Sequence, residues 1–170
     1  MSVADLSHLD AQGRPAMVDV GAKDSTARRA LAEARVWLPP VVSALLESEG
    51  PRSAKGPVYT TAIIAGVQAA KRTGELIPLC HPLPLEHVAV RIHSEVADQG
   101  EGAWAVVRCE ASLHGRTGVE MEALTGAAVA ALTIVDMCKA LSVELRVEGL
   151  RLLEKEGGRR RVVNGREVSA

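Results

Sequence analysis

Residues 25–38, STARRALAEARVWL, can be read as a helix or as a strand, and the choice sets how much of any sheet comes early in the chain. The Ala, Leu, Glu and Arg content favours a helix. The small and apolar positions also alternate with charged ones closely enough for an edge strand. On these residues alone both readings stay open. Pro39 and Pro40 end the stretch in either case, because proline lacks the N–H that helix and ladder need. Upstream, residues 1–16 read as a loose start, with Gly13 and Pro15, and MVDVG (17–21) as a short strand. Downstream, VVSALLESEG (41–50) reads as a helix opened by proline and stopped by Gly50.

Beyond it, GPRSAKGP (50–57) is a polar loop. VYTTAIIAGVQAAKRTG (58–74) places Ile63, Val67 and Ala70 at helical spacing and ends in Lys71, Arg72 and Gly74, as a helix C-terminus should. HVAVRIHSEV (87–96) alternates as a strand does, DQGEG (98–102) is a turn, and AWAVVRCEASL (103–113) is the matching hairpin arm. The clearest helix is TGVEMEALTGAAVAALTIVDMCKAL (117–141), with Thr117 and Glu120 spaced as a capping box. Residues 143–153 suggest a last strand, and GGRRR with VNGREVSA a polar, mobile tail. This order predicts a single two-layer α+β domain, with helices on one face of a largely antiparallel sheet.

Bulk composition narrows the function. The chain has 170 residues, 47% of them hydrophobic and 24% charged, which suits one domain with a sizeable core. Twenty basic against 21 acidic residues leave a net charge of -1, so no nucleic-acid partner is expected. With two Trp, one Tyr and no Phe, stacking platforms for single strands are also nearly excluded. A core of Ala, Val, Leu and Ile lets helices approach closely but buries little area per residue, which hints at self-association. The three cysteines, Cys80, Cys109 and Cys138, form no CxxC and fit a reducing cytoplasm rather than a disulfide framework. MSVADLSHLD does not look like a signal peptide. The longest uncharged run, 123–135, is too short to span a bilayer, so no membrane is expected.

Three places could carry chemistry. LIPLCHPLPL (76–85) holds three prolines around Cys80 and His81. A buried turn and a rigid substrate-contacting loop are the main readings. Zinc would want more ligands than the scattered His87 and His93 supply, and adjacent residues seldom face each other as a Cys-His dyad. On the long helix, Asp136 and Lys139 are three apart and share a face. They read as a surface ion pair, or as a lysine tuned by a carboxylate for proton transfer. Glu122 lies on nearly the same stripe as Asp136 but about 21 Å away, at 1.5 Å rise per residue. One small site in one chain could not easily use both; a site shared between subunits could. Lys23, Arg28, Lys55, Lys71 and Arg72 are scattered, and no phosphate-binding GxxxxGKS occurs.

AAKRTGELIPLCHPLPL, TGVEMEALTGAAVAALTIVDMCKA and MVDVGAK closely resemble the MoaC family, over about residues 6–155. These are the cyclic pyranopterin monophosphate synthases of molybdenum cofactor biosynthesis. The resemblance implies a ferredoxin-like fold, with 25–38 as a strand. It implies a lyase that turns 3′,8-cyclo-7,8-dihydro-GTP into cyclic pyranopterin monophosphate and releases pyrophosphate. It implies no metal or organic cofactor, and a cytoplasmic hexamer, a trimer of dimers, with sites at dimer interfaces. By motif position, Asp136 and Lys139 resemble the catalytic pair. Leu79, Cys80, His81, Met121 and Glu122, with Glu120 close by, resemble substrate contacts. Lys55 of the KG loop and Lys71 of AAKRT resemble residues that meet the triphosphate or developing negative charge. Three positions depart from the pattern: Pro57 stands for an acid, Ile63 for an arginine and Arg116 for a lysine. If the arginine at position 63 bound phosphate, Arg28 or Arg72 would have to replace it. A non-catalytic, oligomeric nucleotide-binding protein on the same scaffold is the alternative reading.

Overall fold

The computed structural model describes residue 9 and residues 12–48, 52–97, 101–158 and 161–168. Residues 1–8, 10 and 11 of the loose start, the Gly50 stop and the first three residues of the DQGEG turn lie outside these. Residues 26–38 settle the opening ambiguity as strand β1 (Thr26–Leu38). It is not an edge strand: β5 (Ala103–Gly115) pairs antiparallel along all of it on one side and β6 (Arg146–Glu156) on the other. Its alternation explains both readings. Ala30, Ala32, Ala34, Val36 and Leu38 are buried on the helix side. The charged residues between them point to the other face, where partners wait. Glu33, only 3% exposed, accepts from Arg108 of β5 and Arg151 of β6 at 3.0 and 2.8 Å. Arg29 bridges Glu110 and Glu154. Cross-strand ion pairs, not an open edge, are what the charges mark.

β4 (His87–Val96) completes the hairpin with β5, closing at Val96 opposite Ala103. The strand order β4-β5-β1-β6 interleaves two split crossovers. One runs β1 to β4 through α1 (Pro40–Ser48), α2 (Val58–Lys71) and α3 (Thr73–Leu76), with β5 inserted between; the other runs β5 to β6 through α4 (Glu120–Cys138), with β1 inserted. This is the ferredoxin-like α+β arrangement, antiparallel throughout.

Small residues hold the helix layer close. A Cβ on Gly66 of α2 would lie 2.8 Å from the Gly126 carbonyl of α4, and one on Gly126 would lie 2.5 Å from the Cys109 Sγ of β5. Ala123, Ala127, Ala130, Ala131 and Ile134 of α4 are fully buried against this core. α4 is long and apolar enough to cross a membrane, but half of its apolar window is buried inside the protein.

Four further expectations are corrected. MVDVG forms no strand; the Asp19 carboxylate accepts from the Gly21 N–H at 2.8 Å and the chain turns instead. The 50–57 loop contains a small hairpin, β2 (Arg52–Ser53) with β3 (Gly56–Pro57). The Thr117–Glu120 capping box is absent. The N-cap is Val119, which puts Glu120 in the first helical position rather than the third, and its carboxylate pairs with Lys155. The polar tail is not all irregular: β7 (Arg161–Val163) and β8 (Arg166–Val168) extend the sheet beyond β6.

Candidate active site

The loop Leu79–His81 and the first turn of α4 face each other across a cleft of about 650 Å³. The loop is built to be stiff. The Cys80 N–H donates to the Ile77 carbonyl at 3.0 Å, and Leu83 and Leu85 pack against the core. Gly74 lets the backbone of His81 and Pro82 lie directly on α3; a Cβ there would meet the Pro82 Cα at 3.1 Å. Of the residues predicted for the site, Leu79, Cys80, His81, Glu120, Met121, Glu122 and Arg28 all line this cleft. Lys23, one of the scattered basic residues that together could line an anion pocket, lines it too, as do Arg116 and Lys155, which were not predicted there. Val18 and Val20 of the MVDVG stretch form part of the wall.

Two carboxylates two residues apart differ in state. Glu120 is partly exposed and held by the Lys155 ammonium, with its carboxylate folded over Gly118, where any side chain would collide with it. Glu122 is 4% exposed, and burial pushes its pKa up to about 7, with the Glu120 charge adding to the rise. It therefore holds its proton in a large fraction of molecules at neutral pH. Burial and the nearby Glu122 charge also raise the Cys80 thiol above its usual range, the opposite of what a thiolate nucleophile needs.

Asp136, Lys139 and Lys55 meet at the other end of α4. The β2–β3 hairpin carries Lys55 at its tip, where its Nζ donates to the Asp136 Oδ2 at 2.8 Å and to the Asp136 carbonyl at 2.7 Å. Lys139 Nζ reaches Asp136 Oδ1 at 2.8 Å. The two ammonium groups, Lys139 first, pull the Asp136 pKa down to about 2, so it stays ionised throughout the physiological range. This cluster is open to solvent: the three side chains are 47–63% exposed. None of them lines the cleft, and about 21 Å of helix lies between Glu122 and Asp136. Lys71, exposed at the end of α2, and Arg72, just beyond it, join neither group. Ile63 packs against the core, which leaves Arg28 as the cleft's arginine on β1. Among the described residues, no three His, Cys, Asp or Glu side chains converge as a metal cage requires.

The MoaC family profile matches residues 17–158. The chain belongs to the MoaC family. Among its relatives, a protein of Xanthomonas campestris pv. campestris (strain B100) is 52% identical over 92% of each chain. One from Chloroflexus aggregans is 51% identical over 93% of this chain and 92% of its own. One from Roseiflexus sp. (strain RS-1) is 51% identical over 92% of this chain and 96% of its own. All three carry the name cyclic pyranopterin monophosphate synthase. The MoaC match spans both ends of α4, so the cleft and the exposed triad lie within one family domain.

The residues missed by sequence reasoning had weak signals. Arg116 was visible only as a departure from the family pattern. Lys155 falls on the inner face of β6, but register shifts against β1 between Leu31 and Ala32, and between Glu33 and Arg35, break the alternation that would have placed it there.

Proposed function

We propose that this chain is a cyclic pyranopterin monophosphate synthase, converting 3′,8-cyclo-7,8-dihydro-GTP to cyclic pyranopterin monophosphate with release of pyrophosphate. The observation that carries this is identity above 50% over more than nine-tenths of the chain to relatives of that name. The cleft suits a substrate with a polar ring system and a polyphosphate. Lys23, Arg28, Arg116 and Lys155 supply cationic groups for phosphate oxygens. Glu122, protonated near neutrality, can donate to the ring system or deliver a proton, and His81 faces the same space. Leu79, Cys80 and Met121 shape the wall.

Asp136 and Lys139 act as the catalytic pair in this reading. An aspartate ionised down to about pH 2 is a poor proton carrier, so its work is to anchor two ammonium groups. Lys139 then moves protons as rings open and reclose, and Lys55 offsets developing negative charge. When the cyclic phosphate forms, a substrate hydroxyl attacks the α-phosphorus, the bond to the bridging oxygen of the β-phosphate breaks, and pyrophosphate leaves with that oxygen. Lys71 has no place in this scheme within one chain.

The separation of the two groups along α4 supports an assembly in which a second copy brings its Asp136–Lys139 end to the cleft. A homo-oligomer follows, read here as a trimer of dimers acting in the cytoplasm. The test is direct incubation with 3′,8-cyclo-7,8-dihydro-GTP. The wild type should yield pyrophosphate and cyclic pyranopterin monophosphate in equal amounts. Lys139→Ala should yield neither while keeping the oligomer. A wild type that binds the compound without releasing pyrophosphate would instead indicate a binding protein.

A further inference from the structure

Two consecutive glycines follow β6, and they meet different neighbours. Gly157, at φ +84°, sits over backbone: a Cβ there would lie 2.3 Å from the Ala27 carbonyl oxygen. Gly158, at φ +80°, sits over a side chain: a Cβ there would lie 2.3 Å from Arg28 Nη1, with Arg28 Cζ next at 3.6 Å. A clash with backbone threatens the fold. A clash with the far end of an arginine moves the arginine. Gly158 is also part of the cleft wall, beside Lys23, Arg116 and Lys155.

Arg28 has somewhere else to go. It forms the partition between the cleft and a smaller hollow of about 230 Å³, whose walls include the carboxylates of Glu86 and Glu156. Its position is held at one point by Nε donating to the Gly115 carbonyl at 3.3 Å. The guanidinium beyond that bond lies against the bare backbone of Gly158. Both sides carry charges of both signs, Lys23, Arg116 and Lys155 with Glu120 and Glu122 at the cleft and Arg29 with Glu86 and Glu156 at the hollow, so charge alone does not decide which side the guanidinium takes.

We infer that Gly158 is a positioning residue for substrate binding: by carrying no side chain, it lets the Arg28 guanidinium rest at the cleft wall, oriented toward the substrate's phosphates before substrate arrives. This rests on the reading of the cleft as the polyphosphate site. An arginine ordered in the free protein loses less freedom on binding, and its planar fork is presented ready-made. The effect belongs in affinity rather than in the chemical step, because what changes is how far Arg28 is ordered before substrate binds, while its contact in the bound state can still form.

The experiment is steady-state pyrophosphate release by Gly158→Ala, Arg28→Ala, the double variant and Gly165→Ala. Gly165, at φ +72° in the β7–β8 turn, carries the same backbone strain, but a Cβ there meets nothing closer than the Leu152 carbonyl oxygen at 3.5 Å. Gly158→Ala should raise KM about three- to tenfold, the worth of one rotamer-rich side chain, with kcat nearly unchanged. It should add nothing in the Arg28→Ala background, and Gly165→Ala should leave KM alone. Gly158→Asn, a residue better tolerated at positive φ, repeats the test if the alanine variant folds poorly. A KM rise that persists without Arg28, or that Gly165→Ala reproduces, overturns the inference. So does failure of both Gly158 variants to fold while Gly165→Ala folds. A KM unmoved by Arg28→Ala overturns the cleft reading itself, whereas a rise with Arg28→Ala but not with Gly158→Ala overturns the positioning role alone.

Discussion

The two ends of α4 carry the same residue class in opposite states. At its start, Glu122 is buried, with no cation paired to it among the described residues, and desolvation raises its pKa to about 7. At its end, Asp136 lies open between two ammonium groups and is driven down to about 2. One carboxyl is poised to give a proton at neutral pH; the other is fixed as an anion. Environments that push two carboxyl groups apart separate an acid role from an electrostatic one. The alanine-packed helix keeps them about 21 Å apart, so the shared site proposed above requires another chain to close the distance.

Removing Lys139, the proton carrier of the proposed mechanism, should have the largest effect. Lys139→Ala should cost about 10³-fold in kcat, within the range for loss of a positioned acid–base group. Asp136 would still be held by Lys55, so the melting temperature should barely move; a comparable loss of fold would mean the lysine is structural.

The buried end should show itself in pH dependence. The folded state binds the Glu122 proton more tightly than the unfolded chain does, because the folded pKa is raised from 4.5 to about 7. Its penalty is therefore absent at low pH, grows as pH rises above 4.5 and is complete above about 7. Glu122→Gln should gain stability on the wild type across that window, by up to about 3 kcal/mol at pH 8, while losing most of its activity. Denaturant melts at pH 5 and pH 8 check the sign; an advantage that does not grow with pH contradicts the burial argument.

The helix between the ends is tested at Gly126. Gly126→Ala drives a methyl group into Cys109 Sγ and should cost about 1–3 kcal/mol, as overpacking a tight core does. The smallest effect should come from Cys80→Ser. As a wall residue with a raised thiol pKa it should change kcat/KM only a few-fold, and a loss as deep as that of Lys139→Ala would restore it as a nucleophile.

How much of this was legible in the sequence depended on whether a signal was local. The hairpin 87–113 and the long helix declared themselves by period alone. β1 did not, because an alanine-rich strand with paired charges on its far face carries good helix formers; its partners Arg108 and Arg151 are some 75 and 118 residues away in sequence. The capping box failed for a similar reason: Lys155, distant in the chain, takes the Glu120 carboxylate that the local pattern assigned to a backbone N–H. In the site, the cleft residues on the loop and α4 were found by motif, and the structure brings them together. Lys71 was not brought to either cluster. Lys155 joins the cleft from β6 through a bulged register that no single-sequence period reveals, and Lys23 and Arg116 join it from the links before β1 and after β5.

The central claim is that the cleft of one chain and the Asp136–Lys139 end of another make one site. Mixing two inactive proteins, Glu122→Ala and Asp136→Ala, after dissociation and reassembly tests it most directly. Random pairing into two-fold dimers leaves about a quarter of the sites free of either substitution, so about a quarter of wild-type pyrophosphate release should return. A mixture that stays as inactive as its components, while forming mixed oligomers, would contradict it.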